Sequence, residues 1–296
     1  MDDSVEDWVG LRGAAMTAGP ADPPLLLDVG CRFRHRLESP VAVVLQVEPR
    51  PDGPHSVIEE SWDTSGAPTR TYRDLYGNLC RRMVIPAGES TIDYHATVEA
   101  SAGIDPADVE ARQLRVDELP AETLVHTLPS RLCPSDELAT TAWRTFGDVD
   151  GGWERVQTIC DWVHECVIFE TGCSTPQTTA TMVLLQRRGV CRDFAHLAIS
   201  LCRALNIPAR YVVGYLPDID VVPPDAPMDF CAWFEAYLGD RWWTFDPRNN
   251  QRRRGRVVIG RGRDAVDVAM ITSYGAAPLL EMTVWADRAA ARTAAP

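Results

Sequence analysis

Cys191 stands in the stretch Gly189-Val190-Cys191-Arg192-Asp193-Phe194-Ala195-His196-Leu197. Phe194, Leu197, Ala198, Leu201 and Leu205 recur at the spacing of one buried helix face, so a helix is predicted from Cys191 onward. Gly189 interrupts the preceding pattern and leaves the cysteine at the first turn. Free backbone N–H groups and the positive end of the helix dipole stabilise a thiolate there, and the thiolate is the nucleophilic form. Taken alone, a cysteine in this place reads better as a small half-buried residue that begins a helix.

The residues downstream alter that weighing. Cys231 to Leu238 and Arg241 to Asp246 read as two strands around the turn Gly239-Asp240. With a two-residue turn, Leu238 faces Arg241, Trp233 faces Asp246 and Cys231 faces Arg248. Cys231, Trp233 and Asp246 then share a face of the ribbon, with Cys231 and Asp246 roughly 7–8 Å apart as diagonal neighbours. The Cys191 helix is expected to pack on that face. A nucleophile on a helix, a residue on a strand and a carboxylate on the next strand follow the logic of a thiol triad. The base is missing, because position 231 holds a thiol.

The elements that must position these residues can be read along the chain. Residues 1–25, with Pro20, Pro23 and Pro24, form a flexible leader. Period-two alternation dominates 26–100, as in Cys31, Phe33, His35 and Leu37 against Arg32, Arg34 and Arg36, and predicts an antiparallel β-sandwich. Val41 to Val47 reads as a more continuously buried strand. His35, His55 and His95 are explained as surface or cross-strand residues. A helical connector spans 101–150, with a capped helix expected after Pro134-Ser135-Asp136. Helices and then strands fill 151–288, where Trp153, Val156, Cys160 and Val163 mark an amphipathic helix that carries His164. A Pro-rich loop (Pro217, Pro223, Pro224, Pro227) precedes the hairpin, and 289–296 is a tail.

The chain has 296 residues, a net charge of −13 and a sequence with no apolar run of membrane-span length. Its acidity argues against nucleic acid or an anionic membrane as partner. Gln251-Arg252-Arg253-Arg254-Gly255-Arg256 is locally basic and is read as a solvated turn between strands. The start, Met1-Asp2-Asp3-Ser4-Val5-Glu6-Asp7, is acidic where a signal peptide would be basic, so a cytoplasmic location is expected. Nine cysteines without a CxxC are expected to be mostly buried thiols rather than a disulfide framework.

Beyond these patterns, the sequence closely resembles the transglutaminase-like superfamily in its bacterial cysteine-protease-like branch. The Cys191 stretch, Ile207-Pro208-Ala209-Arg210-Tyr211-Val212, Asp229-Phe230-Cys231-Ala232-Trp233-Phe234-Glu235 and Thr244-Phe245-Asp246-Pro247-Arg248-Asn249 match its blocks in order. Tyr72 to Asn78 and Arg261 to Ala265 resemble flanking blocks, and the likeness covers about residues 26–288. It implies an N-terminal β-domain before a papain-like α+β core, Cys191 as nucleophile and Asp246 as orienting acid. The family's block at 231 has His as the catalytic base, and Cys231 departs from it. The implied activities are cleavage of peptide amides or acyl transfer from an amide through a thioester.

Three readings stay open. In the first, an enzyme with an altered triad of Cys191, Cys231 and Asp246 acts on a peptide, amide or thioester without a cofactor, with Trp233, Asp229 and Cys173 at the substrate. Thioesters suit it best, because a thiolate leaving group needs little protonation. His196, about 140° around the helix from Cys191, is read as structural and not as a replacement base. In the second, Cys191, Cys231 and Asp246, 40 and 15 residues apart, hold zinc, iron or copper. In the third, the fold is a binding module or an introduced inactive variant that keeps a cleft without its chemistry.

Overall fold

The computed structural model describes residues 23–223 and 226–289. The predicted leader up to residue 22, Pro224 and the tail from residue 290 lie outside them. The strands are β1 (Leu25–Leu37), β2 (Val41–Leu45), β3 (His55–Asp63), β4 (Thr69–Arg73), β5 (Leu79–Ile85), β6 (Gly88–Ala100), β7 (Ile168–Phe169), β8 (Arg188–Gly189), β9 (Ala209–Tyr215), β10 (Cys231–Leu238), β11 (Arg241–Phe245), β12 (Val257–Gly262), β13 (Ile271–Ser273) and β14 (Leu279–Arg288). The α-helices are α1 (Ala139–Phe146), α2 (Trp153–Cys166), α3 (Ala180–Gln186) and α4 (Cys191–Ala204).

Strict alternation makes β1 a half-wet strand. Leu27, Val29, Cys31, Phe33, His35 and Leu37 are buried, while Arg32, Arg34 and Arg36 pair across the outer face with Asp93, Glu281 and Glu89. Two antiparallel sheets form the sandwich, in the orders β14-β1-β6-β3 and β13-β2-β5-β4. β2 is not buried on both sides as its apolar run suggested: Ala42 is exposed and Val44 half-buried, on the outer face of the second sheet. His35 and His55 are buried, and His95 meets Asp28 across the strands at 2.9 Å.

The C-terminal strands depart from the expected division of the chain. β14, expected within the core of 151–288, pairs with β1 from Leu27↔Arg288 to His35↔Leu279, and β13 pairs with β2. Residues 271–288 thus return to the sandwich, where β14 and β13 satisfy the ladder groups of β1 and β2 and become the edge strands themselves. In the connector, the helix begins at Ala139 with Leu138 at its N-cap and no side-chain cap, so Ser135 and Asp136 do not start it.

The core sheet has the order β11-β10-β9-β12. α4 packs on one face of it, with His196 against Tyr211 at 5.0 Å between ring centroids. From Asp193 to Arg203 every residue of α4 is buried, including Ser200 and Arg203. Arg203 is tolerated there because its guanidinium donates to the carbonyls of Ala209, Leu128 and Arg263 and to Ser130. α4 is the rod from which the site is hung.

Candidate active site

The N-terminus of α4 is fixed by a glycine and an aspartate. A Cβ on Gly189 would stand 2.7 Å from the Asp193 Cβ, so only glycine lets that carboxylate lie against the chain and accept the Val190 N–H at 2.8 Å. Arg192 donates to Ser174 Oγ and the Thr175 carbonyl at 3.1 and 2.9 Å. Those bonds bring the loop that holds Cys173 beside the helix start.

Cys191 is the first residue of α4 and is half-buried. Its thiol pKa lies below the usual value because the Cys231 side chain and the Ala232 N–H hydrogen-bond to it, against the opposing pull of burial, Asp229 and Asp246. Its Sγ is also 3.8 Å from the Phe230 carbonyl. Cys231 moves the other way. Its hydrogen bond to Cys191, its burial and Asp246 push it well above the usual range, with Arg256 opposing. The two shifts run in opposite directions, so Cys191 is the thiol of the pair that ionises first.

Gly239, at φ 61°, takes the first position of a two-residue turn, and Leu238 pairs with Arg241 as expected. The ladder runs to Phe234↔Phe245, and Asp246 follows directly. The shared face of Trp233 and Asp246 is also present: Arg256 donates to Asp246 Oδ2 at 3.0 Å and lies 4.6 Å over the Trp233 ring. That face does not look at the helix, however. Ala232, Phe234 and Ala236 belong to the core that contains α4, whereas Trp233 clusters with Val212 and Val258, and Cys231 packs against that cluster. Each cysteine begins its element, and the tip of α4 reaches the start of β10, where Cys191 Sγ touches the Phe230 carbonyl.

Asp246 is buried and accepts from the Asn249 N–H at 3.0 Å and its side-chain amide at 2.8 Å, besides Arg256. Arg256 continues to Asp105 at 2.8 Å, making a buried carboxylate–guanidinium–carboxylate chain. The basic run is therefore not a solvated turn. Arg253 and Arg256 are buried, Arg253 donates to the Pro217 carbonyl, and Arg254 pairs with Asp220 at 3.1 Å. Sequence reasoning passed over Arg256 and Asp105, and the only signal for them was a cluster of cations between strands in an acidic chain. It also passed over Tyr211, whose phenol is pushed well above its usual range by burial first and the nearby Cys191 next.

The remaining candidates are spread around this centre. Asp229 accepts the Phe230 N–H at 2.7 Å, and burial raises its pKa. Cys173 is half-buried, raised by burial and by Asp193. Trp233 is fully buried, so it offers a substrate no open surface. His196 Nε2 accepts the Ala265 N–H at 3.1 Å, and burial lowers its pKa to about 3. His126 stands against Trp242 at 5.3 Å, and His164 Nδ1 is 3.1 Å from the Pro247 carbonyl. Among the described residues, no group of three or more His, Cys, Asp or Glu is arranged to hold a metal ion. All nine cysteines are free. No helix among the described residues is long and apolar enough to cross a membrane.

Comparison with known proteins gives the same placement. Residues 140–247 match the family model of the transglutaminase-like superfamily. The structure of a "Putative Cysteine Protease" from Cytophaga hutchinsonii superposes with a TM-score of 0.81 at 30% identity, covering 90% of this chain and 91% of that one. An uncharacterized protein of Mycobacterium leprae is 28% identical over 236 residues, 76% of this chain and 82% of its own length. Another from Mycobacterium tuberculosis is 34% identical over 124 residues, 39% of this chain and 40% of its own length. With its sandwich, its core helix begun by a cysteine and its antiparallel core sheet, the chain belongs to the transglutaminase-like superfamily.

Proposed function

We propose that this protein is a cysteine acyltransferase or hydrolase that draws its acyl group from thioesters in preference to amides, through Cys191. The observation that carries this reading is the half-buried Cys191 thiol at the first residue of α4, against the start of β10, a position that favours its thiolate. The Cys191 thiolate adds to the carbonyl carbon, and the π electrons move to oxygen. First-turn N–H groups of α4 are the donors for that oxyanion. Collapse breaks the bond to the leaving thiolate and leaves an acyl group on Cys191. Water or an amine then attacks the acyl carbon and loses a proton to solvent, and the bond to sulfur breaks to return the Cys191 thiolate.

The preference follows from Cys231. A leaving thiolate with a pKa of about 8.5 departs without a proton, whereas a leaving amine must be protonated as it goes. The Cys231 thiol, held well above its usual range, is too weak an acid for that task.

The test compares simple acyl thioesters with peptide anilides of the same acyl group. Thioester turnover with an acyl adduct on Cys191 by mass spectrometry is expected, lost in Cys191→Ala, with anilide turnover at least about 10²-fold slower. Thioester turnover unchanged in Cys191→Ala, or anilides cleaved as fast, overturns the proposal.

A further inference from the structure

The same two thiols carry a chemistry that needs no carbonyl substrate. Cys31, Cys80, Cys133, Cys160 and Cys202 are buried, and burial raises each of their pKa values. Cys160 and Cys202 interact as neighbours, yet both are sealed within the core at 1% and 0% exposure. Cys166 and Cys173 are half-buried among charged groups, Arg187 and Glu165 around one, Asp193 and Glu170 around the other. Cys191 and Cys231 differ from all of these. Both are half-buried, Cys191 Sγ stands 3.8 Å from the carbonyl of Phe230, the residue before Cys231, and each thiol is the largest influence on the other's ionisation.

Little holds either sulfur elsewhere. Cys191 Sγ has the Phe230 carbonyl at 3.8 Å and Cys231 Sγ the Ala232 carbonyl at 3.9 Å, both long contacts that a side-chain rotation gives up at small cost. Each residue is also the first of its element, where the backbone yields more easily than in an interior.

We propose that Cys191 and Cys231 are a reversible dithiol–disulfide pair oxidised by hydroperoxides, with Cys191 as the attacking sulfur and Cys231 as the resolving one. The Cys191 thiolate attacks the terminal peroxide oxygen, and the O–O bond breaks. Sulfur loses two electrons to become a sulfenic acid, while the peroxide is reduced and leaves as an alcohol, or as water, after taking a proton from solvent. Cys231 then attacks the Cys191 sulfur, the S–O bond breaks, and hydroxide leaves with the Cys231 proton as water. The order suits the pair. Cys191 opens α4, where helix N–H groups favour its thiolate, and Cys231 follows Phe230, whose carbonyl Cys191 Sγ touches, so it is placed to attack the oxidised sulfur. The disulfide leaves no nucleophile, so acyl transfer stops until a thiol reductant restores it; only this last consequence rests on the function proposed above.

The test treats the reduced full chain with about one equivalent of hydrogen peroxide and no acyl substrate. Loss of two free thiols is expected, with a Cys191–Cys231 disulfide in the peptide map that dithiothreitol reverses. Cys231→Ser, with its fold checked by circular dichroism, is expected to stop at a sulfenic acid on Cys191 that dimedone traps. Cys173→Ser is expected to leave the disulfide unchanged. The proposal is overturned if Cys191 proceeds to a sulfinic acid while Cys231 stays free, or if Cys191 pairs with Cys173. Thioester turnover by the same reduced sample separates the two ideas: turnover without the disulfide rejects this one alone, and the disulfide without turnover rejects only acyl transfer.

Discussion

Cys231 gives the nucleophile a hydrogen bond and cannot give it a positive charge. The imidazole that the superfamily resemblance implies at this position can do both. A neutral thiol lowers the Cys191 pKa by solvating the thiolate, and that is a weaker effect than an ion pair. The alkylation rate of Cys191 against pH should therefore have its midpoint below 9.0, the ordinary value for a thiol. In Cys231→Ala the thiolate loses its principal donor, so the midpoint should rise. Alkylation at pH 7 should then slow by about tenfold for each pH unit that the midpoint moves. An unchanged midpoint would mean that the helix tip and the Ala232 N–H suffice. At this scale the sequence was informative about Cys191, Cys231 and Asp246, since local patterning alone puts each at the end of an element. It misplaced Arg256 in a solvated turn, because its partner Asp105 lies 151 residues away and a run of arginines looks the same whether hydrated or buried against carboxylates.

The hairpin shows why register is easier to read than facing. A two-residue turn and a period of two fix which residues oppose each other, and the ladder to Phe234↔Phe245 follows. The face of β10 that α4 covers, Ala232, Phe234, Ala236 and Leu238, is apolar throughout, while the other holds Glu235 beside Trp233; α4 was expected over Cys231 and Asp246 from the logic of a triad, against that alternation. Cys231→His places an imidazole at the start of β10, on the side of the ribbon that holds Asp246. Anilide turnover is expected to rise by about 10²–10⁴-fold, the usual contribution of a positioned general acid–base. No gain would mean that Asn249 and Arg256 hold the Asp246 carboxylate too firmly for it to orient the ring. The chain Asp105–Arg256–Asp246 can be tested separately. Arg256→Met leaves two carboxylates with 13% and 2% side-chain exposure without their cation, and should cost about 3–5 kcal/mol in urea unfolding.

Across the whole molecule, the return of β14 to β1 joins the two halves that the sequence divides at the connector. Buried residues from Leu25 to Ala286 form one continuous core, and Phe230, beside the nucleophile, stacks on Phe33 of the sandwich at 6.4 Å. Sandwich and core should therefore unfold together. Acid is the condition that tests this, because buried histidines occur in the sandwich, the connector and the core. Burial lowers His55 to about 4 and His126 and His196 to about 3, from an ordinary 6.5. These groups are neutral in both states above pH 6.5, so stability is intact there. Below it the unfolded chain binds protons that the folded chain excludes, and stability falls until the folded values are reached. Each histidine contributes about 1.4 kcal/mol per pH unit, so three together give about 4 kcal/mol per pH unit on the way to pH 4. Asp229, raised by burial, opposes this loss in part as it takes up its proton in the folded state. Near pH 4 and below, Glu235 and Asp264, both lowered in the fold, add to the loss as they are protonated. Urea unfolding at pH 7, 6 and 5 should show stability dropping from pH 6 downward, well before carboxylates titrate, with one transition reported alike by tryptophan fluorescence and far-ultraviolet dichroism. A flat stability down to pH 5 would mean that the buried histidines gain their protons without unfolding, and two separated transitions would mean that the sandwich and the core stand apart.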